Sequence, residues 1–309
     1  MNNIFKTDIL KLNLKCATQK RISNLAFVPK CKPINQEDVL RLKEFVNSNN
    51  KMLVLTGAGI STESGIPDYR STGVGLYAKS TRKPILYQEF CSNESIRQRY
   101  WARNFIGWQR FSSTLPNNTH KAIKQLEDIG KINFIVTQNV DNLHSKAGSF
   151  NVIELHGTAF RVLCLTCNNK FSRHDFQTIL DKLNPHIKAD ALMIRPDGDV
   201  DISEEHIKNF QVPPCENCGG NLKPDIVFFG DNVPRSIVEE VEKNVNDADA
   251  LLILGTSLTT YSGYRIVLQA SNNKIPIAIV NIGKTRADKN ANLKVEAICG
   301  DIISKIIPN

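Results

Sequence analysis

The sequence predicts a doubly wound α/β fold, a parallel sheet covered by helices on both faces and interrupted by two insertions. Three observations predict it. Short, continuous apolar runs at 52–56, 132–137, 152–155, 251–254 and 275–280 read as strands buried on both faces. Helix-period segments, such as 121–129 and 236–245, lie between them, as in successive βαβ units. Several runs also end in Gly, Ser, Thr or Asn, and open α/β sheets bind ligands just beyond the carboxyl ends of their strands.

The chain has 309 residues, 41% apolar and 23% charged, a balance that excludes wholesale disorder. No apolar run approaches the roughly 18 residues of a membrane helix. The formal net charge is +8. Residues 1–33 hold Lys6, Lys11, Lys15, Lys20, Arg21, Lys30 and Lys32 against Asp8 alone, so the body keeps only +2. A basic nucleic-acid face is therefore not expected. With Ile4, Phe5, Ile9, Leu10, Leu12 and Leu14 interleaved, 1–33 reads as an amphipathic organelle-import leader, the alternative being a plain N-terminal tail. Pro29 and Pro33 mark its end, before a helix at about 36–46.

The first strand runs into Gly57-Ala58-Gly59-Ile60-Ser61, a turn whose backbone can approach a pyrophosphate. Thr62 stands where the dehydrogenase fingerprint needs a third Gly, and no acid occupies 75–85, so hydride transfer is disfavoured. Gly65 and Pro67 bend the chain away, carrying Asp68, Tyr69 and Arg70 over the ligand. An aromatic-rich helical insertion follows at 76–118. The second strand ends in Thr137-Gln138-Asn139-Val140-Asp141-Asn142-Leu143-His144, a polar string costly to bury unless it binds something. His156 then ends the next strand at the same edge, as a base near neutral pH or a structural imidazole.

Two pairs, Cys164-Leu-Thr-Cys167 and Cys215-Glu-Asn-Cys218, with Gly219 and Gly220 after the second, predict a four-thiolate zinc site in a module over 160–222. A closed sulfur shell leaves no position for water, so the ion is read as structural, stabilising a module with few apolar residues of its own. A redox thiol pair is the alternative. Cys16, Cys31, Cys91 and Cys299 are scattered singles. Residues 34–75, 119–159 and 223–309 complete the Rossmann-like sheet, whose late tips, Gly255-Thr256-Ser257 and Asn281-Ile282-Gly283, join the first in holding one extended dinucleotide.

Together these elements resemble the sirtuin family of NAD-dependent protein deacylases, in the family's order over 34–309. The matching stretches are 57–61 with Gly65-Ile66-Pro67-Asp68, then 137–141, Leu155-His156-Gly157, both cysteine pairs, the run Lys223 to Gly230, and Gly255-Thr256-Ser257-Leu258. The texture is closest to the mitochondrial class II branch, through 99–105, Pro196-Asp197-Gly198-Asp199-Val200 and Tyr261-Ser262-Gly263-Tyr264-Arg265.

The resemblance implies that NAD is consumed as a co-substrate. Its nicotinamide would lie near Ser61, Ile66, Asn139 and Asp141, its phosphates near Arg70, and its adenine against Cys299. Tyr69 would shield the reactive sugar carbon, with Thr62, Pro67, Asp68, Tyr77 and Val140 completing the wall. The acyl-lysine oxygen would attack C1′ of the ribose and expel nicotinamide. His156 would serve as general base, with Gln138 and Asn139 orienting ribose and water, giving free lysine and O-acyl-ADP-ribose. Implied partners are acyl-lysine proteins, metabolic enzymes of the mitochondrial matrix, with no nucleic acid or membrane. Tyr100 and Arg103, three apart on a helix, match the Tyr-x-x-Arg pair that holds acidic acyl groups in class II relatives. ADP-ribosyl transfer to protein and lipoyl-lysine removal are variants of the same chemistry. An idle NAD- and zinc-binding regulator is the reading from another class.

Overall fold

The apolar runs pair side by side in the computed structural model, which describes residues 25–79, 84–187 and 195–307. The strands are β1 (Met52–Thr56), β2 (Ile132–Thr137), β3 (Val152–Glu154), β4 (Gly157–Cys164), β5 (Lys170–Ser172), β6 (Leu222–Ile226), β7 (Ala250–Leu254), β8 (Ile277–Val280) and β9 (Leu293–Val295). Six of them form a parallel sheet in the order β3-β2-β1-β7-β8-β9. The order reverses between β1 and β7, which places a crevice for ligands at that point.

Side chains alternate across a strand, so a continuous apolar run feeds two cores. Met52 and Val54 enter one, with Leu252 and Val280 beside them, and Leu53 and Leu55 enter the other, with Ile253 and Ile279. The first core is closed by helices α1 (Gln36–Asn47) and α3 (Asn118–Asp128), the second by α5 (Arg235–Asp247) and α6 (Tyr261–Asn272). Asn35 starts α1 by accepting the Asp38 amide at 2.6 Å on its side-chain oxygen. A short helix at Cys299–Ile303 packs under the sheet beside β8. The sixth strand, β9, and this helix were not expected from the sequence. Three residues are too few to show a period.

The insertions share one body. Helix α2 (Glu94–Ser113) and helix α4 (Arg173–Leu183) pack with the antiparallel sheet β5-β4-β6 around a single cluster that includes Trp101, Phe111, Val162, Phe176 and Leu222. Trp101 Nε1 donates to the Leu222 carbonyl at 2.9 Å. Arg173, fully buried, lies 4.5 Å from the Trp108 ring and donates to Asn104 Oδ1 at 3.0 Å. The expectation that the cysteine module has few apolar residues of its own is therefore corrected. Its apolar side chains are spread over strands and a helix, and their partners on α2 lie some sixty residues upstream. The module's sheet also runs past 160–222, from Gly157 to Ile226.

Residues 1–24 of the expected leader lie outside the described residues. Residues 25–33 belong to the fold: Leu25–Phe27 make a 3-10 turn, and Cys31 Sγ donates to the Glu296 carbonyl at 3.6 Å. The prolines that mark the expected boundary at 33 lie in a segment that is half-buried to exposed. Among the described residues no helix is long and apolar enough to cross a membrane.

Candidate active site

Between the two bodies lies a cavity of about 1450 Å³, opening at the carboxyl ends of β1, β2, β7 and β8. Its floor is the turn after β1. Gly57 and Gly59 lie so close to the turn after β7 that a Cβ on either would come within 2.6 Å of Thr256 or 2.7 Å of the Gly255 oxygen. Small residues at both tips therefore let two strand ends meet without filling the space above them.

The polar string after β2 is drawn into this floor. Asp141 is buried and accepts Ser61 Oγ at 2.6 Å and the Leu143 amide at 3.0 Å. Burial raises its pKa, and these hydrogen bonds oppose the rise. Asn139 Nδ2 donates to the Gly57 carbonyl and to Ser61 Oγ, both at 3.1 Å. Gln138 Nε2 donates to the Thr56 carbonyl at 3.2 Å and Thr256 Oγ1 at 3.0 Å, while its Oε1 accepts Thr260 Oγ1 at 3.1 Å. The Gln138 amide therefore braces two strand tips, and the residue lines the cavity where the family resemblance implies a role in orienting ribose and water.

His156 is set beside this brace. Its Nδ1 is 3.0 Å from the Gln138 carbonyl and its Nε2 is 2.8 Å from Ser262 Oγ. Burial lowers its pKa below 6.5 and the Gln138 carbonyl opposes that, so the ring is neutral at pH 7.

Over the floor, Asp68 accepts the amides of Arg70 at 2.9 Å and Ser71 at 2.7 Å, closing the turn that carries Tyr69 and Arg70. The Tyr69 ring sits 5.8 Å from Tyr77, and Arg70 lies 5.5 Å from the same Tyr77 ring. Thr62 Oγ1 donates to the Gly59 carbonyl at 2.8 Å and holds the first turn. Ala58, Ile66, Val140 and Ser257 face the cavity too, as do Asn281, Ile282 and Gly283 after β8, with buried Cys299 behind them. Pro67 alone of the residues expected to bind cofactor does not line it.

Tyr100 and Arg103 share a face of α2 and both reach the cavity wall. Arg103 is 5% exposed, donates Nε to the Val200 carbonyl at 2.8 Å and pairs with Asp199, so its guanidinium is already engaged where an acyl carboxylate was expected. Arg195 pairs with the same Asp199 at 3.7 Å and with Asp201 at 3.1 Å. Burial pushes the Asp199 carboxyl up to about 7, against the pull of both arginines. The Tyr100 hydroxyl is buried with no partner among the described residues.

Three features went unread in the sequence: the role of Ser262, the Arg195–Asp199 clamp, and the wall made by Val28, Pro29 and Lys30. The motifs containing Ser262 and Asp199 were visible as texture, but pairing across the cavity carries no sequence period.

A profile of the Sir2 family matches residues 57–262. The chain belongs to the Sir2 family. Among its sirtuin relatives, the Drosophila melanogaster protein named NAD-dependent protein deacylase Sirt4 is 55% identical, over 91% of this chain and 90% of that one. The Homo sapiens protein named NAD-dependent protein lipoamidase sirtuin-4, mitochondrial, is 52% identical over the same shares. A solved structure of Sir2 with a p53 peptide and NAD+ superposes with a TM-score of 0.67 at 29% identity, covering 89% of this chain and 98% of that one.

The sirtuin's four cysteines also converge. The sulfurs of Cys164, Cys167, Cys215 and Cys218 all lie within 4.8 Å of one another, with Cys164–Cys218 at 3.5 Å and Cys167–Cys215 at 3.8 Å. A tetrahedral zinc with Zn–S arms of about 2.3 Å places its sulfurs about 3.8 Å apart, so the donor set fits that ion.

Proposed function

We propose that this sirtuin removes acyl groups from protein lysines at the expense of NAD, with His156 as general base. The observation that carries the reading is His156, bonded to the Gln138 carbonyl and lining the same cavity as the Ser61–Asn139–Asp141 network at the strand tips. NAD supplies the ADP-ribosyl group that accepts the acyl, leaving as nicotinamide and O-acyl-ADP-ribose. Asn139 and Asp141, locked by Ser61, would hold the carboxamide end without moving. His156 Nε2 would take a proton from a ribose hydroxyl, and the Gln138 carbonyl would stabilise the resulting imidazolium. General-base help of this kind is worth about 10²–10⁴ in rate. The zinc cysteines stand apart from this floor and would hold the smaller body's turns.

For the acyl end, two arginines and an unpartnered Tyr100 hydroxyl at the cavity wall support acidic or branched dicarboxylic acyl groups. Such a carboxylate would have to displace Asp199 from Arg103. The human relative's name favours testing lipoyl-lysine as well. Substrates of this chain would be acylated proteins, metabolic enzymes of the mitochondrial matrix, given the basic leader and the mitochondrial naming of that relative.

Purified protein given NAD and acetyl-, glutaryl-, hydroxymethylglutaryl- and lipoyl-lysine peptides tests this. Stoichiometric nicotinamide and O-acyl-ADP-ribose are expected, with His156→Ala lowering product at least a hundredfold at unchanged zinc content. Label transferred to protein instead would mean ADP-ribosyl transfer, and no turnover with any peptide would mean an idle binding module.

A further inference from the structure

The Gln138 carbonyl can only accept a hydrogen bond, so His156 Nδ1 carries the ring proton. Nε2 then holds a lone pair, and the Ser262 hydroxyl donates to it at 2.8 Å. Ser262 sits in the first turn of α6, whose N-cap residue Thr260 donates to Gln138 Oε1. Gln138 thus touches the imidazole with its carbonyl and, with its amide, anchors the helix that presents Ser262. A Cβ at Gly263 would fall 2.7 Å from Gln138 Oε1, so this close approach needs the glycine that follows Ser262.

We infer that Ser262 is a positioning residue for His156, holding the Nε2 lone pair of the neutral ring toward the cavity until a ribose hydroxyl takes its place. The inference rests on the base reading above and adds no covalent step. A proton passes from the ribose hydroxyl to Nε2, and Ser262 keeps its own throughout.

A hydrogen bond donated to Nε2 favours the neutral ring, as burial already does. Arg265, one turn further along α6 and also on the cavity wall, is paired with Glu242 of α5 at 2.7 Å. Gln138 and Ser262, the two residues bonded to the ring, are uncharged.

The test uses the full chain with zinc bound, as native protein and as Ser262→Ala, Ser262→Thr and His156→Ala. Without NAD, ¹⁵N spectra of the imidazole across pH should give a higher His156 pKa in Ser262→Ala than in native protein, with Ser262→Thr returning it. With NAD and acyl peptide, Ser262→Ala should form O-acyl-ADP-ribose about three- to tenfold more slowly, the worth of one neutral hydrogen bond. Nicotinamide exchange, which precedes the base's step, should stay at the native rate, and Ser262→Thr should recover product formation. An unchanged titration, an unchanged product rate, or equal loss of exchange and product would each overturn the inference while leaving His156 as base. Full product formation by His156→Ala would instead remove the base reading and this inference with it.

Discussion

His120, which the sequence did not single out, and His144, the last residue of the polar string after β2, lie buried with rings 5.0 Å apart behind the floor of the cavity. Thr56 gives its hydroxyl hydrogen to Thr137, so it accepts from His144 Nε2 at 3.0 Å, and His144 Nδ1 is left as a buried acceptor without a partner among the described residues. Burial lowers both pKa values, that of His144 to about 4. The unfolded chain would bind a proton at each ring below about 6.5, so these rings favour unfolding as pH falls from 6.5 toward 4. Asp141 and Asp199, with raised pKa values, act in the opposite sense, so the comparison must be between proteins. Native protein should lose about 1–2 kcal/mol more stability between pH 7 and pH 5 than His144→Gln, read from urea unfolding at both pH values. Equal losses would show that the ring is not held neutral.

At the scale of elements, the loop from Arg195 to Val200 and helix α2 form a clamp around one carboxylate, and that clamp sets what Arg103 can bind. Asp199→Asn keeps the shape and removes the charge competing for the guanidinium. The ratio of glutaryl to acetyl turnover should rise about tenfold, the worth of one freed charge-assisted hydrogen bond. A ratio that falls or stays level would show that Arg103 serves the loop alone. The elements themselves were legible to different degrees. Strands β1 and β2 follow from runs of apolar residues whose ends are set by Gly and polar tips, and the start of α1 from the prolines at 29 and 33. Arg103 was legible as a site residue only through the resemblance, because with Tyr100 it matches the Tyr-x-x-Arg pair of class II relatives. Its partner Asp199 lies ninety-six positions downstream in a loop, where nothing periodic links the two.

Across the whole molecule, the two insertions depend on one apolar cluster, so the metal's influence should extend beyond its ligands. Stripping zinc with a strong chelator should speed amide exchange through β4, β6 and also α2, which contributes no cysteine, while β1 and β7 stay protected. Protection kept throughout α2 would show that the two insertions are energetically separate. The sequence made both insertions visible as interruptions of the sheet. Their union was hidden because it is made by residues such as Trp101 and Leu222, which lie 121 positions apart in the chain.

The segment before α1 carries a consequence for maturation. Val28, Pro29 and Lys30 form part of the reaction chamber's side, next to Ile298 and Cys299. A processing protease that cut at residue 33 would leave every strand of the large sheet in place and yet strip one wall from the chamber. A cut that stopped upstream of Val28 would instead leave Val28, Pro29 and Lys30 in the chamber's wall.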